Sequence, residues 1–469
     1  MKISLHYFKS IEILNDFELK PLTILSGVNS SGKSSFIQLL MLLKQTLELK
    51  SFTNQLAIEG NYIRLSSFLD IIYGKDRDNK LEVMLEFNKQ ELQVSSENYL
   101  NIFDHFDDYQ CHVLIGFCCK DNAPFVCEFT VEYVLPAGIK NRQKISFQYN
   151  TEIGKYLITS NTGIFGNEFN LLEPIAADKV IFNSFIPYIV EISQFDEGWK
   201  KRIPIRFTPR LEGITDTIDY FFSGISYIGP LRKEPEDFYV VRPSNIKMGS
   251  KGENVAQILE EEADRAIVNY RLKNKDGRES YEKEETTLIE AVRYWLCDEF
   301  KVAKGIVTEK RDDRYAIYLL KDEKLRTSIK HVGFGISQVL PILVEGLRMG
   351  KGSTLILEQP EIHLHPRLQS QLFDFVYSLV LEGKKVIVET HSDHFINRMR
   401  RRVAEDCSDK MPEQVSITFI QEKNGKNYFD TLNLNEMGTF DFYPLDFLEQ
   451  YGKETKAIVY AQSQKRKKK

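Results

Sequence analysis

A glycine-rich segment near the amino terminus constrains the possible folds of this chain more than any other feature. Residues 27–34 read Gly-Val-Asn-Ser-Ser-Gly-Lys-Ser, which follows the pattern Gly-x-x-x-x-Gly-Lys-Ser/Thr. The apolar run 22–25 precedes this segment, and residues 36–43 carry apolar side chains at helical spacing after it. A buried strand that leads through a glycine loop into a helix predicts an α/β fold with a phosphate-binding site at the loop.

The glycine loop predicts particular roles for its side chains. Glycines allow successive backbone N–H groups to point at phosphate oxygens. We expect Lys33 to bridge the β- and γ-phosphates of ATP and Ser34 to bind Mg²⁺. The alternative is a chance glycine turn before a helix. The predicted nucleotide-binding residues of this segment are Gly27, Asn29, Ser30, Ser31, Gly32, Lys33, Ser34 and Ser35.

Two later apolar runs end in polar side chains that suit the same site. Residues 354–357 are followed by Glu358, and residues 386–388 by Glu389, Thr390 and His391. Because parallel strands end at one edge of a sheet, we expect Glu358 beside the glycine loop as a Mg²⁺ ligand, and His391 within reach of the γ-phosphate. Glu358 as a simple strand cap is one alternative. A zinc site is another, because the histidines have ligand-compatible spacing: His363, His365, His391 and His394.

Composition limits the kinds of partner and compartment. The formal net charge is −5 and the isoelectric point is near 6.0, so a DNA contact would require a local basic patch. The six cysteines form no Cys-x-x-Cys pair and are interpreted as reduced core thiols. Neither a signal sequence nor an apolar run long enough to cross a bilayer is visible, which predicts a cytoplasmic protein without membrane contact.

The pattern along the chain predicts five segments. Residues 1–90 begin the core, 91–225 form an antiparallel β-rich insertion, and 226–345 form a helical lobe in which residues 273–278 are a polar connection. Residues 346–410 complete the core, and 411–469 form a small carboxyl-terminal region with a basic tail. Strand–helix–strand patterns at both ends predict one shared sheet.

Several of these motifs carry a family resemblance. The glycine loop, LILEQPEIHLHP at 355–366 and VIVETHSDH at 386–394 resemble the ATP-binding-cassette type of ATPase head, an AAA-family branch shared by RecF, SMC-like and overcoming-lysogenization-defect proteins. The closest pattern is a bacterial subgroup with a small carboxyl-terminal domain. VGFGISQ at 332–338 resembles that subgroup's signature loop, and the segments at 227–232 and 252–255 are similar to it as well.

The resemblance implies roles for individual residues. Glu358 would take the place of the Walker B aspartate, and His391 would be the switch histidine. Gly333, Gly335 and Ser337 would form the signature loop, which in such heads completes the ATP site of a second subunit. A homodimer or higher homo-oligomer with composite ATP sites follows from this.

One position departs from the family pattern. The usual catalytic glutamate after the Walker B acid is replaced by Gln359. An amide accepts no proton at neutral pH, although it can orient an attacking water molecule. Slow or partner-triggered hydrolysis is therefore predicted, and Glu361 is the alternative base.

Two functions are compatible with these residues. The first is a sensor or regulatory ATPase of a bacterial antiphage defence module that acts with a separate effector such as a nuclease. The second is a RecF-like repair ATPase that clamps duplex DNA. The arginine-rich segment 398–402 bears on this choice, since it is either a solvated helix face or a contact to nucleic acid or a partner.

Overall fold

The structure is a computed structural model that divides into two compact units. The first unit comprises residues 1–19, 34–225 and 423–427, and the second comprises 20–33, 226–422 and 428–469. No helix among the described residues combines the length and apolar character needed to span a membrane. The structure describes residues 1–28, 32–92, 109–134, 143–161, 173–196, 199–206, 209–240, 247–275, 278–321, 325–408, 410–444, 447 and 457–458.

The elements are numbered in chain order. The strands are β1 Lys2–Phe8, β2 Ile11–Glu18, β3 Leu22–Gly27, β4 Leu81–Asn88, β5 Gln110–Lys120, β6 Ala123–Val134, β7 Gln143–Asn150, β8 Lys155–Ser160, β9 Ile175–Ala176, β10 Lys179–Asn183, β11 Ile186–Asp196, β12 Trp199–Arg206, β13 Ile225–Ile228, β14 Tyr239–Val240, β15 Ala266–Lys275, β16 Arg278–Thr287, β17 Gly305–Arg311, β18 Arg314–Leu320, β19 Arg326–Ser328, β20 Thr354–Glu358, β21 Lys385–Glu389, β22 Val415–Lys423 and β23 Lys426–Leu432. The helices are α1 Lys33–Glu48, α2 Pro209–Ser223, α3 Val255–Glu261, α4 Leu288–Arg293, α5 Phe334–Arg348, α6 Pro366–Leu381, α7 Asp393–Glu405 and α8 Met411–Gln414. A π-helical turn, Tyr294–Glu299, continues α4.

The first unit is built on an eight-stranded antiparallel sheet. Its strand order is β2-β1-β4-β5-β6-β7-β8-β9, and β10, β11 and β12 form a separate three-stranded sheet. In β4 every second side chain is buried, as expected for a strand with one face on a core. Because β1, β2 and β4 share a sheet with β5–β9, the strand-rich region continues from the amino-terminal strands rather than beginning at residue 91.

A disulfide joins two adjacent strands of this sheet. Cys118 on β5 and Cys127 on β6 are bonded, with their Cα atoms 5.6 Å apart. The prediction that all cysteines are reduced core thiols is therefore wrong for this pair. Spacing along the sequence is a poor guide here, because the β5–β6 hairpin brings two residues nine positions apart into contact. Cys111, Cys119, Cys297 and Cys407 are thiols.

The second unit is built on a six-stranded sheet that positions the predicted site. Its strand order is β13-β20-β21-β3-β22-β23, and the pairs β20–β21, β21–β3 and β3–β22 are parallel. Strands from both ends of the chain thus share one sheet, as predicted. Strand β21 lies between β3, which leads into the glycine loop, and β20, which ends at Glu358.

The segment predicted as a helical lobe contains a β-hairpin. Strands β15 and β16 pair over their full length, with Lys275 opposite Arg278, where a helix and a polar connection were expected. The hairpin is tied to the π-helical turn, because Trp295 Nε1 donates to Asn269 Oδ1 at 3.1 Å. The Asp-Gly pair at 276–277 is the signal in the sequence that favours a hairpin over a polar connection.

Candidate nucleotide-binding site

The end of β3 has a backbone that only glycine accommodates. Gly27 has a φ of +144°, and a Cβ atom there would lie 2.0 Å from the carbonyl oxygen of Ile420 on β22. Gly32 has a φ of +95° and directly precedes Lys33, the first residue of α1. The conformations of these two glycines are compatible with a phosphate-binding loop. The predicted residues Asn29, Ser30 and Ser31 lie outside the described residues.

The Lys33 ammonium group is buried within this turn. The residue is 4% exposed, and its Nζ donates to the carbonyl oxygens of Gly27 at 3.1 Å and Val28 at 2.6 Å. Burial lowers the pKa of Lys33, and the charge of Glu389 opposes that shift. A buried cation bonded to backbone carbonyls at a helix amino terminus suits an anionic ligand, so these residues fit a nucleotide phosphate.

The serines that follow Lys33 belong to the first unit. Ser34 and Ser35 lie in the first turn of α1, and Ser35 Oγ is 3.1 Å from Ser10 Oγ. Ser35 thus has a hydroxyl partner within its own unit. The predicted Mg²⁺ role of Ser34 and the nucleotide role of Ser35 stay predictions.

Two carboxylates lie side by side at the edge of the second unit's sheet. Glu358 ends β20, Glu389 ends β21, and the two are paired in register, 8% and 2% exposed. Burial, and after it the neighbouring Glu389 charge, raise the pKa of Glu358 to about 7, although Tyr227 and Arg232 oppose the rise. A divalent cation would compensate this repulsion, so the acids fit the predicted Mg²⁺ site.

Gln359 occupies the position of the usual catalytic base in a strained conformation. Its φ is +44°, which is uncommon for a residue other than glycine, and Pro360 follows it. The backbone N–H of Gln359 donates to the carbonyl oxygen of Glu389 at 2.7 Å. Strain of this kind costs about 1–3 kcal/mol and persists only where the surroundings enforce it.

Two residues that no sequence pattern connected with the site, Tyr227 on β13 and Arg232 just after it, lie at this sheet edge. Arg232 is 5% exposed and donates from Nη2 to Glu358 O at 3.0 Å and from Nη1 to Gln359 O at 3.2 Å. Burial lowers the pKa of Arg232 to about 10, and Glu361 provides the largest opposing charge. Tyr227 is hydrogen bonded to Glu358. An arginine shortly after an apolar strand was the available signal.

Glu361 and His391 are connected through the backbone. Glu361 is buried, and its Oε1 accepts the N–H of His391 at 2.7 Å. Burial raises the pKa of Glu361. The His391 side chain is exposed, but partial desolvation lowers its pKa and the nearby Lys33 charge lowers it further. Both effects favour the neutral imidazole, and Glu361 fixes the loop that carries it.

The three predicted signature-loop residues have different environments. Gly333 is exposed at the amino-terminal cap of α5, and a Cβ atom there would meet nothing within 4 Å. Gly335 packs so closely that its Cβ would lie 2.8 Å from His363 O. Ser337 is only 6% exposed. Ser337 is buried within α5, whereas Gly333 is exposed, so Gly333 is the more accessible of the two residues that the sequence left as alternatives for facing a second subunit. The signature-loop role of all three residues stays a prediction.

The histidines and arginines singled out in the sequence have local roles. His365 caps α6 by accepting from the Arg367 N–H, and within the described part of the chain no group of three or more His, Cys, Asp or Glu is placed to hold a metal ion. Arg398 and Arg402 both bond the buried Asp374, at 2.6 and 2.7 Å. The other two arginines of the segment contact Gly438 and Glu405.

A parallel sheet with a glycine loop between β3 and α1 defines the class of P-loop α/β nucleotide-binding proteins. A model of the AAA ATPase domain family matches residues 1–396, and the chain belongs to this family. The predicted α/β fold and ATPase family are thereby confirmed. No curated protein matches the sequence.

Solved structures similar to this chain include heads of SMC proteins. An SMC head bound to the C-winged helix domain of ScpA is 12% identical, covering 92% of this chain and 97% of that chain at a TM-score of 0.40. An SMC head from Pyrococcus furiosus with an extended coiled coil, bound to the carboxyl-terminal domain of ScpA, is 11% identical, with coverages of 92% and 96% and a TM-score of 0.38. The SMC head domain from Thermotoga maritima is 11% identical, with coverages of 91% and 97% and a TM-score of 0.33.

Proposed function

We propose that this chain is a regulatory ATPase that binds Mg²⁺–ATP tightly and hydrolyses it slowly. The observation that carries the proposal is the position of Glu358, Gln359 and His391 at or just after the ends of β20 and β21. On the neighbouring β3, the terminal Gly27 carbonyl accepts from Lys33 Nζ. A cation, an acid and a neutral imidazole are present there, whereas the position of the general base holds an amide. Groups that bind Mg²⁺–ATP are therefore present, whereas proton abstraction is weak.

Each residue has a task that its environment supports. Lys33 exchanges its two carbonyl partners for phosphate oxygens, and Glu358 holds the metal shell. Mg²⁺ supplies charge neutralisation to the phosphates when bound. His391 donates a hydrogen bond to the terminal phosphate, and Gln359 orients water for in-line attack. Glu361 positions the His391 loop, because its carboxylate already accepts the His391 N–H.

A second copy of the chain would complete the site. The exposed amino-terminal cap of α5 at Gly333 offers backbone N–H groups and a helix amino terminus to the γ-phosphate of a neighbour. ATP would then hold two copies together, and slow hydrolysis would make the dimer long-lived. Long-lived ATP dimers suit a switch that holds or releases another protein.

We further propose that this protein is the sensor subunit of an antiphage defence module with a separate effector such as a nuclease. The alternative of a duplex-DNA clamp is second, because two arginines of 398–402, Arg398 and Arg402, bond the buried Asp374 within the second unit.

Copurification from the native host with Mg²⁺–ATP present tests both functions, with Lys33→Ala as the comparison. Recovery of an effector with the wild type and its loss with the variant supports the regulatory ATPase. Recovery of DNA alone places the clamp first. The same preparations are assayed for ATP binding by calorimetry and for turnover, since a purified protein that hydrolyses ATP rapidly without partners contradicts the slow switch.

A further inference from the structure

The backbone at Gln359 is held in its strained conformation by three hydrogen bonds. The Gln359 N–H donates to Glu389 O at 2.7 Å. Arg232 donates to the carbonyl oxygens on either side of the strained φ, at 3.0 Å to Glu358 and 3.2 Å to Gln359. Both peptide groups that flank the Gln359 Cα are therefore fixed.

We call the hydrogen bonds from Arg232 to the Glu358 and Gln359 carbonyl oxygens the clamp, and a guanidinium group has the geometry to form both. Its donors form a rigid planar fork, which can bind two adjacent carbonyl oxygens at once, whereas a lysine ammonium is a single flexible point. Arg232 is buried at the sheet edge, and a third carbonyl, Pro230 O, lies 3.4 Å from Nη1. The Arg232 side chain thus joins the segment after β13 to the segment after β20.

A residue with left-handed backbone conformation directs its side chain differently from a residue with extended backbone. The clamp therefore determines the direction in which the Gln359 side chain projects from the end of β20. We propose that Arg232 is a positioning residue for ATP hydrolysis, which acts by holding Gln359 in the conformation that presents its amide to the attacking water. This inference rests on the proposed function, in which Gln359 orients that water.

The first test compares Arg232→Lys with the wild type in steady-state ATP hydrolysis by the full chain. The expected result is a fall in kcat of at least tenfold with KM for ATP changed less than twofold, because Lys33 and the glycine loop are untouched. Arg402→Lys is the matched control, since Arg402 is similarly buried in the same unit but bonds Asp374. Equal losses of kcat in both variants, or a change in KM alone, would overturn the proposal.

A double-mutant cycle separates positioning from a general structural effect. If Arg232 acts through Gln359, Arg232→Lys should lower kcat less than twofold when Gln359 is already alanine. Additive losses in the double variant count against the proposal.

Hydrogen exchange tests the clamp even if the wild type shows no turnover. The Gln359 amide should exchange at least tenfold faster in Arg232→Lys, measured on peptides spanning 355–362. If the wild type shows no turnover but Arg232→Lys exchanges faster, the hydrolysis function is rejected and the clamp is retained. If exchange at Gln359 is unchanged in Arg232→Lys, the clamp itself is rejected.

A second variant leaves Arg232 intact, in case Arg232→Lys fails to fold. Gln359→Gly relieves the strain, because glycine adopts positive φ freely. The expected result is a higher Tm together with lower turnover. A lower Tm would show that the conformation at Gln359 is not strained by its surroundings.

Discussion

At the scale of single residues, the site joins two buried acids to two buried cations. Glu358 and Glu389 repel each other at adjacent strand ends, while Lys33 and Arg232 bond mainly to backbone carbonyls. Charges kept in these positions reduce stability unless something compensates them. Mg²⁺–ATP has the charges that would compensate both pairs, so ligand binding and stability should be linked.

The first prediction concerns the stability of Glu358→Gln without Mg²⁺ or nucleotide. The pKa of Glu358 is raised from 4.5 to about 7, so the folded state retains a proton that the unfolded state has lost. Wild-type stability should therefore fall as pH rises from 4.5 to 7, by roughly 3 kcal/mol at most. Glu358→Gln does not lose stability in this way. In urea denaturation, the variant should therefore have a higher free energy of unfolding than wild type at pH 8, and the difference should be small at pH 5.

Glu290 pairs with Arg293 at the surface, and Glu290→Gln, compared with wild type at the same two pH values, is the control substitution. A gap between Glu358→Gln and wild type that stays constant from pH 5 to pH 8 would contradict the assignment.

The second prediction concerns Gln359→Glu. A carboxylate at this position can accept the proton of the attacking water, which the amide cannot, so turnover should rise roughly tenfold to hundredfold. Gln359→Ala, measured beside it, should lower turnover below wild type because the water is no longer oriented. Phosphate release at saturating ATP is the measurement, and equal rates for the Glu and Ala variants would show that residue 359 does not take part in hydrolysis.

At the scale of elements, helix α7 is held against its neighbours by ion pairs to a buried carboxylate. Asp374 on α6 accepts from Arg398 and Arg402 on α7 and from Tyr281 on β16. One buried carboxylate thus connects two helices and the hairpin. The arginine-rich segment consequently stabilises the second unit.

The third prediction follows from this connection. Asp374→Asn removes the charge that compensates two arginines, one of them deeply buried, and should destabilise the second unit by about 3–5 kcal/mol. Glu405→Gln removes a partly exposed partner of the same helix and should cost under about 1 kcal/mol. Chemical denaturation of both variants is the measurement, and similar midpoints for the two would contradict the anchoring role.

At the scale of the whole molecule, the second unit exposes Gly333, which we propose contributes to the ATP site of another copy. Gly333 is open to solvent, whereas Ser337 is buried, so approach of a second chain would involve the amino-terminal cap of α5. ATP-dependent self-association is therefore the assembly property to measure.

The fourth prediction is that Gly333→Glu abolishes ATP-dependent dimers without unfolding the monomer. A Cβ at this position meets no atom within 4 Å, so stability should change by less than about 0.5 kcal/mol. The added carboxylate would repel a neighbour's γ-phosphate. Sedimentation with a non-hydrolysable ATP analogue is the measurement. Gly350→Glu, at an equally open glycine, should leave dimers intact, and dimers that persist in Gly333→Glu would contradict the signature-loop assignment.

Local patterns in the sequence determined the glycine loop, the buried strands β3, β20 and β21, and the polar residues at their ends. These features depend on neighbours along the chain: glycine permits the turn, an apolar run makes a buried strand, and the residue that ends the strand lies at the sheet edge. The ATPase family and the α/β fold were accordingly predictable from the amino-acid sequence alone.

Only the tertiary structure decided which distant groups meet. Arg232 reaches the Glu358 and Gln359 carbonyls across 126 and 127 positions, β21 separates β20 from β3, and Ser337 is buried. Strand order, burial and left-handed backbone at a glutamine arise from packing between segments far apart in the chain, and no local pattern encodes them. The sequence therefore determined what the site contains, and the fold decided how it is held.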